Sequence, residues 1–126
     1  MAANGIQELL ELARQATPEV LPHELEVLRA KGEALIIDVR EPEEHERGVV
    51  PGAVLVARGL LELHIERLAP ERSTPIVLYC EAGVRSLLAA RSLGSMGYTN
   101  VASLAGGIQL YARKGYALER PAGLTP

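Results

Sequence analysis

One cysteine, placed where a predicted strand meets a predicted helix, is the residue best suited to chemistry in this chain. Cys80 is the only cysteine among the 126 residues, and it directly follows the apolar, β-rich run Ile76–Tyr79. From Leu87 to Met96, apolar residues then recur at helical spacing. Because the free N–H groups of a first helical turn and of the loop before it converge on such a position, they would stabilise a thiolate or another anionic sulfur there.

The residues that follow the cysteine strengthen this prediction. Gly83 allows the backbone to turn its amides toward the sulfur, and Arg85 adds positive charge at the end of the loop. A lone cysteine often serves only as a small apolar residue of the core, but a cysteine in that role would need neither Gly83 nor Arg85. The spacing therefore predicts a reactive Cys80 inside an anion cradle made of Glu81, Ala82, Gly83, Val84 and Arg85, with Ser86 next to it.

Composition limits the classes of protein to consider. The chain is 48% hydrophobic but only 3% aromatic, which predicts a single domain with an aliphatic core. A net charge of −3 argues against nucleic acid as a partner. With one cysteine, no signal peptide and no long apolar segment, we expect a soluble cytoplasmic protein without membrane contact. Arginine supplies 11 of the 13 basic residues, a pattern also found in thermophilic proteins.

Strands and helices are predicted to alternate along the chain, which indicates an α/β fold with a parallel sheet and helices on both faces. Ligands of such sheets bind beyond the carboxyl ends of the strands. Besides the cysteine loop, that edge should hold Asp38 and Arg40 at the end of the second strand and Arg58 after the third, near the mouth of the ligand site. The predicted strands are 20–21, 34–39, 53–56, 76–79 and 100–104. The predicted longer helices are one that starts near Ile6 and ends before Pro18, then 22–32, 59–69, 86–97 and one starting at 106.

Residues 41–48 are predicted to form one polar helical turn. Four glutamates and His45 in this turn could suggest a metal site, but a single histidine on so short a helix favours a solvated acidic surface. Farther along, Gly106 and Gly107 open the last helix without the remaining glycine of a dinucleotide-binding fingerprint.

Four segments of the chain, in order, carry a family pattern. They are Ile37-Asp38-Val39-Arg40-Glu41 with Glu44, Gly48-Val49-Val50-Pro51-Gly52-Ala53, Tyr79-Cys80-Glu81-Ala82-Gly83-Val84-Arg85-Ser86 and Leu104-Ala105-Gly106-Gly107-Ile108. Together they resemble the single-domain rhodaneses, a family of sulfurtransferases. The resemblance implies a rhodanese-like three-layer α/β/α fold with about five parallel strands for residues 18–120, an added N-terminal helix in residues 1–17 and a flexible tail at 121–126. It implies that Cys80 is the nucleophile that carries the persulfide, that the loop cradles it, and that Asp38 and Arg40 support the neighbouring strand end.

The resemblance also implies partners. The donor would be a small sulfur compound such as thiosulfate or a persulfide, and the acceptor would be a thiol or cyanide, with a sulfur-carrier protein as a further option. No cofactor and no metal are implied. The chain departs from the family pattern at Val49, where a histidine is usual, and at Tyr111, near a common tryptophan. Glu81 places a carboxylate beside the nucleophile, which should disfavour an anionic donor such as thiosulfate.

Two other functions remain open from the sequence. A phosphatase or arsenate reductase also places a cysteine and an arginine around an oxyanion, but its loop is longer; only Glu81 to Val84 intervene here, which suits one sulfur atom better than a phosphate. A non-catalytic binding module with the rhodanese shape is the second alternative. The intact Cys80 and Arg85 argue against it.

Overall fold

A parallel sheet of five strands forms the centre of the molecule in the computed structural model, which describes residues 4–121. The spatial order is β1-β5-β4-β2-β3, and every neighbouring pair is parallel. β4 is the middle strand, and its four residues are all buried, which explains their uninterrupted apolar character. The strands are β1 Glu19–Val20, β2 Leu35–Asp38, β3 Val54–Leu55, β4 Ile76–Tyr79 and β5 Val101–Leu104.

Helices cover both faces of the sheet. α4 and α5 pack on one face, over a core that includes Ile37, Leu78 and Cys80. α2 and α6 pack on the other face, against Ile36 and Tyr79. The helices are α1 Ile6–Ala16, α2 Pro22–Lys31, α3 Pro42–His45, α4 Leu61–Leu68, α5 Val84–Ser95 and α6 Gly107–Arg113, and a 3-10 turn at Arg58–Leu60 precedes α4. The three-layer α/β/α architecture predicted from the sequence is confirmed.

The N-terminal helix forms an outer addition to these layers. The buried residues of α1, Leu10 and Ala13, contact Leu87 of α5. α1 therefore packs on the helix that begins after the cysteine loop, and the predicted extra helix is confirmed.

The structure corrects one local prediction. α5 begins at Val84, so Val84 and Arg85 belong to its first turn and the connection from β4 is shorter than predicted. Before the predicted tail, Val49 and Glu119 exchange backbone hydrogen bonds of 2.9 Å in both directions. Most of the predicted tail, residues 122–126, lies outside the described residues. Between residues 4 and 121, no helix is long and apolar enough to cross a membrane.

Candidate active site

The Cys80 sulfur lies at the carboxyl end of the central strand and is surrounded by hydrogen-bond donors. The residue is 1% exposed. Its Sγ accepts hydrogen bonds from the N–H groups of Gly83 at 3.2 Å and Ser86 at 3.3 Å, and the Ser86 hydroxyl lies 3.3 Å away. The start of the twelve-residue helix α5 adds the positive end of its dipole. These groups favour a negatively charged sulfur at this position.

Gly83 gives the loop its shape. Its φ of 96° lies in the left-handed region, and it caps the N-terminus of α5. A Cβ at this position would stand 3.1 Å from the Gly106 nitrogen and 3.3 Å from the Leu104 carbonyl oxygen. Glycine is therefore required here both by the turn and by the close approach of the chain segment after β5.

That segment forms the floor of the loop. The N–H of Ile108 donates to the Cys80 carbonyl oxygen at 2.9 Å, and the N–H of Gln109 donates to the Glu81 carbonyl oxygen at 3.1 Å. A Cβ on Gly107 would lie 2.6 Å from the Cys80 carbonyl oxygen. The sequence marked the Gly106-Gly107 pair as a helix start and as a part of the family pattern, but two successive glycines could also have indicated that another backbone approaches closely.

Arg85 does not bond to the sulfur but forms a two-point ion pair with Glu44 of α3. Its Nη1 and Nη2 donate to Oε1 and Oε2 of Glu44, each at 2.8 Å. Glu44 Oε1 also accepts from the Glu41 N–H at 3.0 Å. The hydrogen bonds from Arg85, which outweigh the opposing effect of burial, lower the pKa of Glu44 to about 2. The expected full positive charge beside Cys80 is thus largely balanced by a carboxylate.

Asp38 and Arg40 form a buried network behind the loop. Arg40 Nε and Nη2 donate to the Asp38 carboxylate, the shorter bond being 2.8 Å, and both side chains are at most 1% exposed. Arg40 also donates to the carbonyl oxygens of Glu44 and Gly48 and, from Nη1 at 3.3 Å, to Glu81 Oε1. Because these contacts occupy its guanidinium, Arg40 connects the end of β2 to α3 and to the cysteine loop.

The outer rim of the loop includes residues of both charge signs. Glu81 is 28% exposed and lies between Arg40 and the exposed Arg47, whose Nη2 is 4.0 Å from Glu81 Oε1. These three residues line a cavity of about 190 Å³ next to α6. Ala82 on the loop and Val84 in the first turn of α5 are exposed. Glu81 is therefore partly exposed at the rim, and Arg47 offsets its charge.

Comparison with known proteins identifies the family. The model of the rhodanese-like domain matches residues 21–114. The chain belongs to this family. Over 91 residues it is 33% identical to a protein of Allochromatium vinosum named sulfurtransferase, which covers 72% of this chain and 83% of the relative.

Solved structures agree with this assignment. A protein of Rhodopseudomonas palustris, described as of unknown function and a possible tyrosine phosphatase, has a TM-score of 0.86 at 30% identity and covers 94% of this chain and 97% of its own. A human single-domain sulfurtransferase has a TM-score of 0.71 at 30% identity and covers 79% and 99%. Sulfur transfer is the general activity that the two relatives named as sulfurtransferases support for the rhodanese-like domain.

Three residues of this rhodanese-like domain have surroundings that differ from the sequence prediction. Arg58 donates to the Glu62 carboxylate at 2.8 Å, and Ser92 donates to the same group at 2.6 Å. Arg58 thus binds the carboxylate through which α4 contacts α5, and we do not include it in the site. The prediction that residues 41–48 form a solvated acidic surface is wrong at two positions. His45 is buried, with Nε2 3.6 Å from Asp38 Oδ1, and Glu44 is held in its ion pair with Arg85. No group of side chains within residues 4–121 could hold a metal ion.

Sequence reasoning missed two contacts of this site because they join distant positions. The partner of Arg85 is Glu44, which precedes it by 41 residues. The hydroxyl of Ser86 lies 2.8 Å from that of Ser103 on β5, and both serines are completely buried. A serine inside an otherwise apolar strand was the available signal for the second contact.

Proposed function

We propose that this rhodanese-like domain transfers a sulfane sulfur through a persulfide on Cys80. The observation that supports it most is the environment of Cys80 Sγ, which two backbone amides and a hydroxyl group face at 3.2–3.3 Å. Donors so arranged favour a sulfur anion, which is the nucleophile of the first step and the leaving group of the second. The donor would be thiosulfate or a persulfide, and the acceptor would be cyanide in an assay and a thiol, including that of a sulfur-carrier protein, in the cell.

In the first half-reaction, the Cys80 thiolate attacks the outer sulfur of the donor. A new S–S bond forms, the bond between the outer sulfur and the rest of the donor breaks, and its electron pair leaves with the remnant, which is sulfite when the donor is thiosulfate. The Gly83 and Ser86 amides hold Sγ in place inside the loop.

In the second half-reaction, the acceptor attacks the terminal sulfur of the persulfide. The S–S bond breaks, and its electron pair returns to Cys80 Sγ as a thiolate. The hydrogen bonds to Sγ stabilise this leaving group. Both steps conserve electrons without an external oxidant or reductant.

Intact-mass spectrometry tests the proposal directly. Incubation with thiosulfate should add the mass of one sulfur atom to the protein, cyanide should remove it with formation of thiocyanate, and Cys80→Ser should do neither. Turnover in Cys80→Ser equal to that of the wild type, or a wild-type protein that no sulfane donor loads, would refute the proposal. Parallel assays with p-nitrophenyl phosphate examine the phosphatase alternative, for which we expect no turnover.

A further inference from the structure

The buried hydroxyl of Ser103 lies directly behind the sulfur site. Ser103 on β5 is the register partner of Leu78, two residues before Cys80, so the Ser103 and Cys80 side chains share one face of the sheet. Ser86 approaches from the first turn of α5 and lies between them, with its Oγ 3.3 Å from Cys80 Sγ and 2.8 Å from Ser103 Oγ. The three side chains form a continuous series of hydrogen-bonding groups.

The series is significant because its two serines are buried. Ser86 and Ser103 are both completely buried, and Val101, two residues before Ser103 on the same face of β5, belongs to the apolar core on the Cys80 side of the sheet. A hydroxyl in such surroundings requires a hydrogen-bond partner, and Ser86 supplies it for Ser103. An apolar residue would avoid this requirement altogether, so the serine invites a functional explanation.

The charge on the sulfur sets the direction of the hydrogen bonds. A Cys80 thiolate has no proton to donate, so the Ser86 hydroxyl must donate to it. This leaves the lone pairs of Ser86 Oγ as acceptors, and the Ser103 hydroxyl then donates to them. The series runs from Ser103 to Ser86 to the sulfur, and each donation strengthens the next one.

We propose that Ser103 is a positioning residue that acts through Ser86 to stabilise Cys80 as the leaving thiolate. This inference rests on the proposed function and concerns one half-reaction of it. When the acceptor removes the terminal sulfur, Cys80 Sγ gains negative charge and the hydroxyl series strengthens. When the thiolate attacks a donor, Sγ loses charge, and the same series gives no acceleration.

Single-turnover kinetics of the two half-reactions test the proposal. Loading is followed by intact mass with thiosulfate alone, at a pH where its rate has reached a plateau, and unloading by thiocyanate release from the isolated persulfide form. In Ser103→Ala we expect unloading to slow about two- to fourfold, with loading unchanged or slightly faster. Ser86→Ala should slow unloading about tenfold or more. In the Ser86→Ala background, the additional Ser103→Ala change should have no further effect.

Ser92→Ala is the matched control. Ser92 lies on α5, as Ser86 does, and its hydroxyl donates a hydrogen bond to Glu62, away from the sulfur. It should alter neither half-reaction.

If Ser103→Ala does not fold, Ser103→Thr and Ser103→Val provide a pair of equal shape that differs in the hydroxyl, and the threonine form should unload faster. Equal effects on loading and unloading, no effect on either, or additivity with Ser86→Ala would overturn the proposal. A wild-type protein that never forms a persulfide would instead refute the proposed function.

Discussion

Arg85 and Glu44 are joined by two parallel hydrogen bonds of 2.8 Å, although 41 residues separate them in the sequence. The arginine in the first turn of α5 is thereby fixed to α3, and Ser86, whose amide bonds to the Cys80 sulfur, follows it directly. The hydrogen bonds to Glu44, with smaller contributions from the charges of Cys80 and Glu81, raise the pKa of Arg85 despite its partial burial. Arg85 thus combines a balanced charge with a fixed position beside the loop.

Replacement of Arg85 by lysine separates these two properties. Lysine keeps the positive charge but cannot form the two-point contact with Glu44. We expect Arg85→Lys and Glu44→Gln each to lower kcat/KM for thiosulfate:cyanide transfer about three- to tenfold, because the first turn of α5 loses its fixed position. Steady-state kinetics of both variants provide the measurement. Wild-type rates in Arg85→Lys would mean that the charge alone matters.

The ion pair also predicts how stability depends on pH. The folded-state pKa of Glu44, about 2, lies below its ordinary value of about 4.5, so its contribution to stability is complete above the ordinary value. This contribution decreases as the pH falls from 4.5 toward 2. Urea unfolding from pH 7 to pH 2 should therefore show wild type more stable than Glu44→Gln by a constant margin down to about pH 5, followed by convergence. A margin that stays constant to pH 2 would contradict this assignment.

Glu81 provides a test of electrostatics at the rim. Glu81→Gln keeps an oxygen that can accept from Arg40 Nη1, so the contact of the loop with Arg40 should survive while one negative charge is lost. For the dianion thiosulfate, we expect kcat/KM at low salt to rise about two- to fivefold, and high salt should abolish the gain. Arg47→Gln is the matched change of opposite sign and should lower kcat/KM by a similar factor. An unchanged or lower value for Glu81→Gln at low salt would place its carboxylate away from the donor path.

Gly107 is predicted to be essential for the floor of the loop. In Gly107→Ala the new Cβ would stand 2.6 Å from the Cys80 carbonyl oxygen, and it would also clash with the Glu81 carbonyl group. We expect a loss of unfolding free energy of about 2 kcal/mol or more, together with loss of sulfur transfer.

Gly32→Ala is the control for Gly107→Ala, because Gly32 has φ 65°, close to the 61° of Gly107, with nothing within 4 Å of its Cβ position. It should cost only about 1 kcal/mol and leave activity intact. Chemical denaturation and the mass assay distinguish the two variants. Equal behaviour would show that backbone conformation, and not the close contact, decides the effect.

The fold and the position of Cys80 in it could be predicted from the sequence because both depend on local patterns. The apolar run of β4, the helical spacing after it and the alternation of strands with helices are set by residues near one another in the chain. The place of Cys80 at a strand end and the need for glycine at position 83 follow from the same short segment.

Only the tertiary structure decided what the charged and polar side chains contact. From the sequence, Arg85 was a free cation and Glu44 a solvated acid, but the packing of α3 against the start of α5 makes them partners. Ser103 contacts Ser86, and Gly107 lies under Cys80, because the parallel order of the sheet places β5 and the turn after it beside β4. A long charged side chain has many residues of opposite charge in the sequence with which it could pair. Which of them it contacts depends on how the helices and strands are arranged in space, and a local sequence pattern does not encode that arrangement.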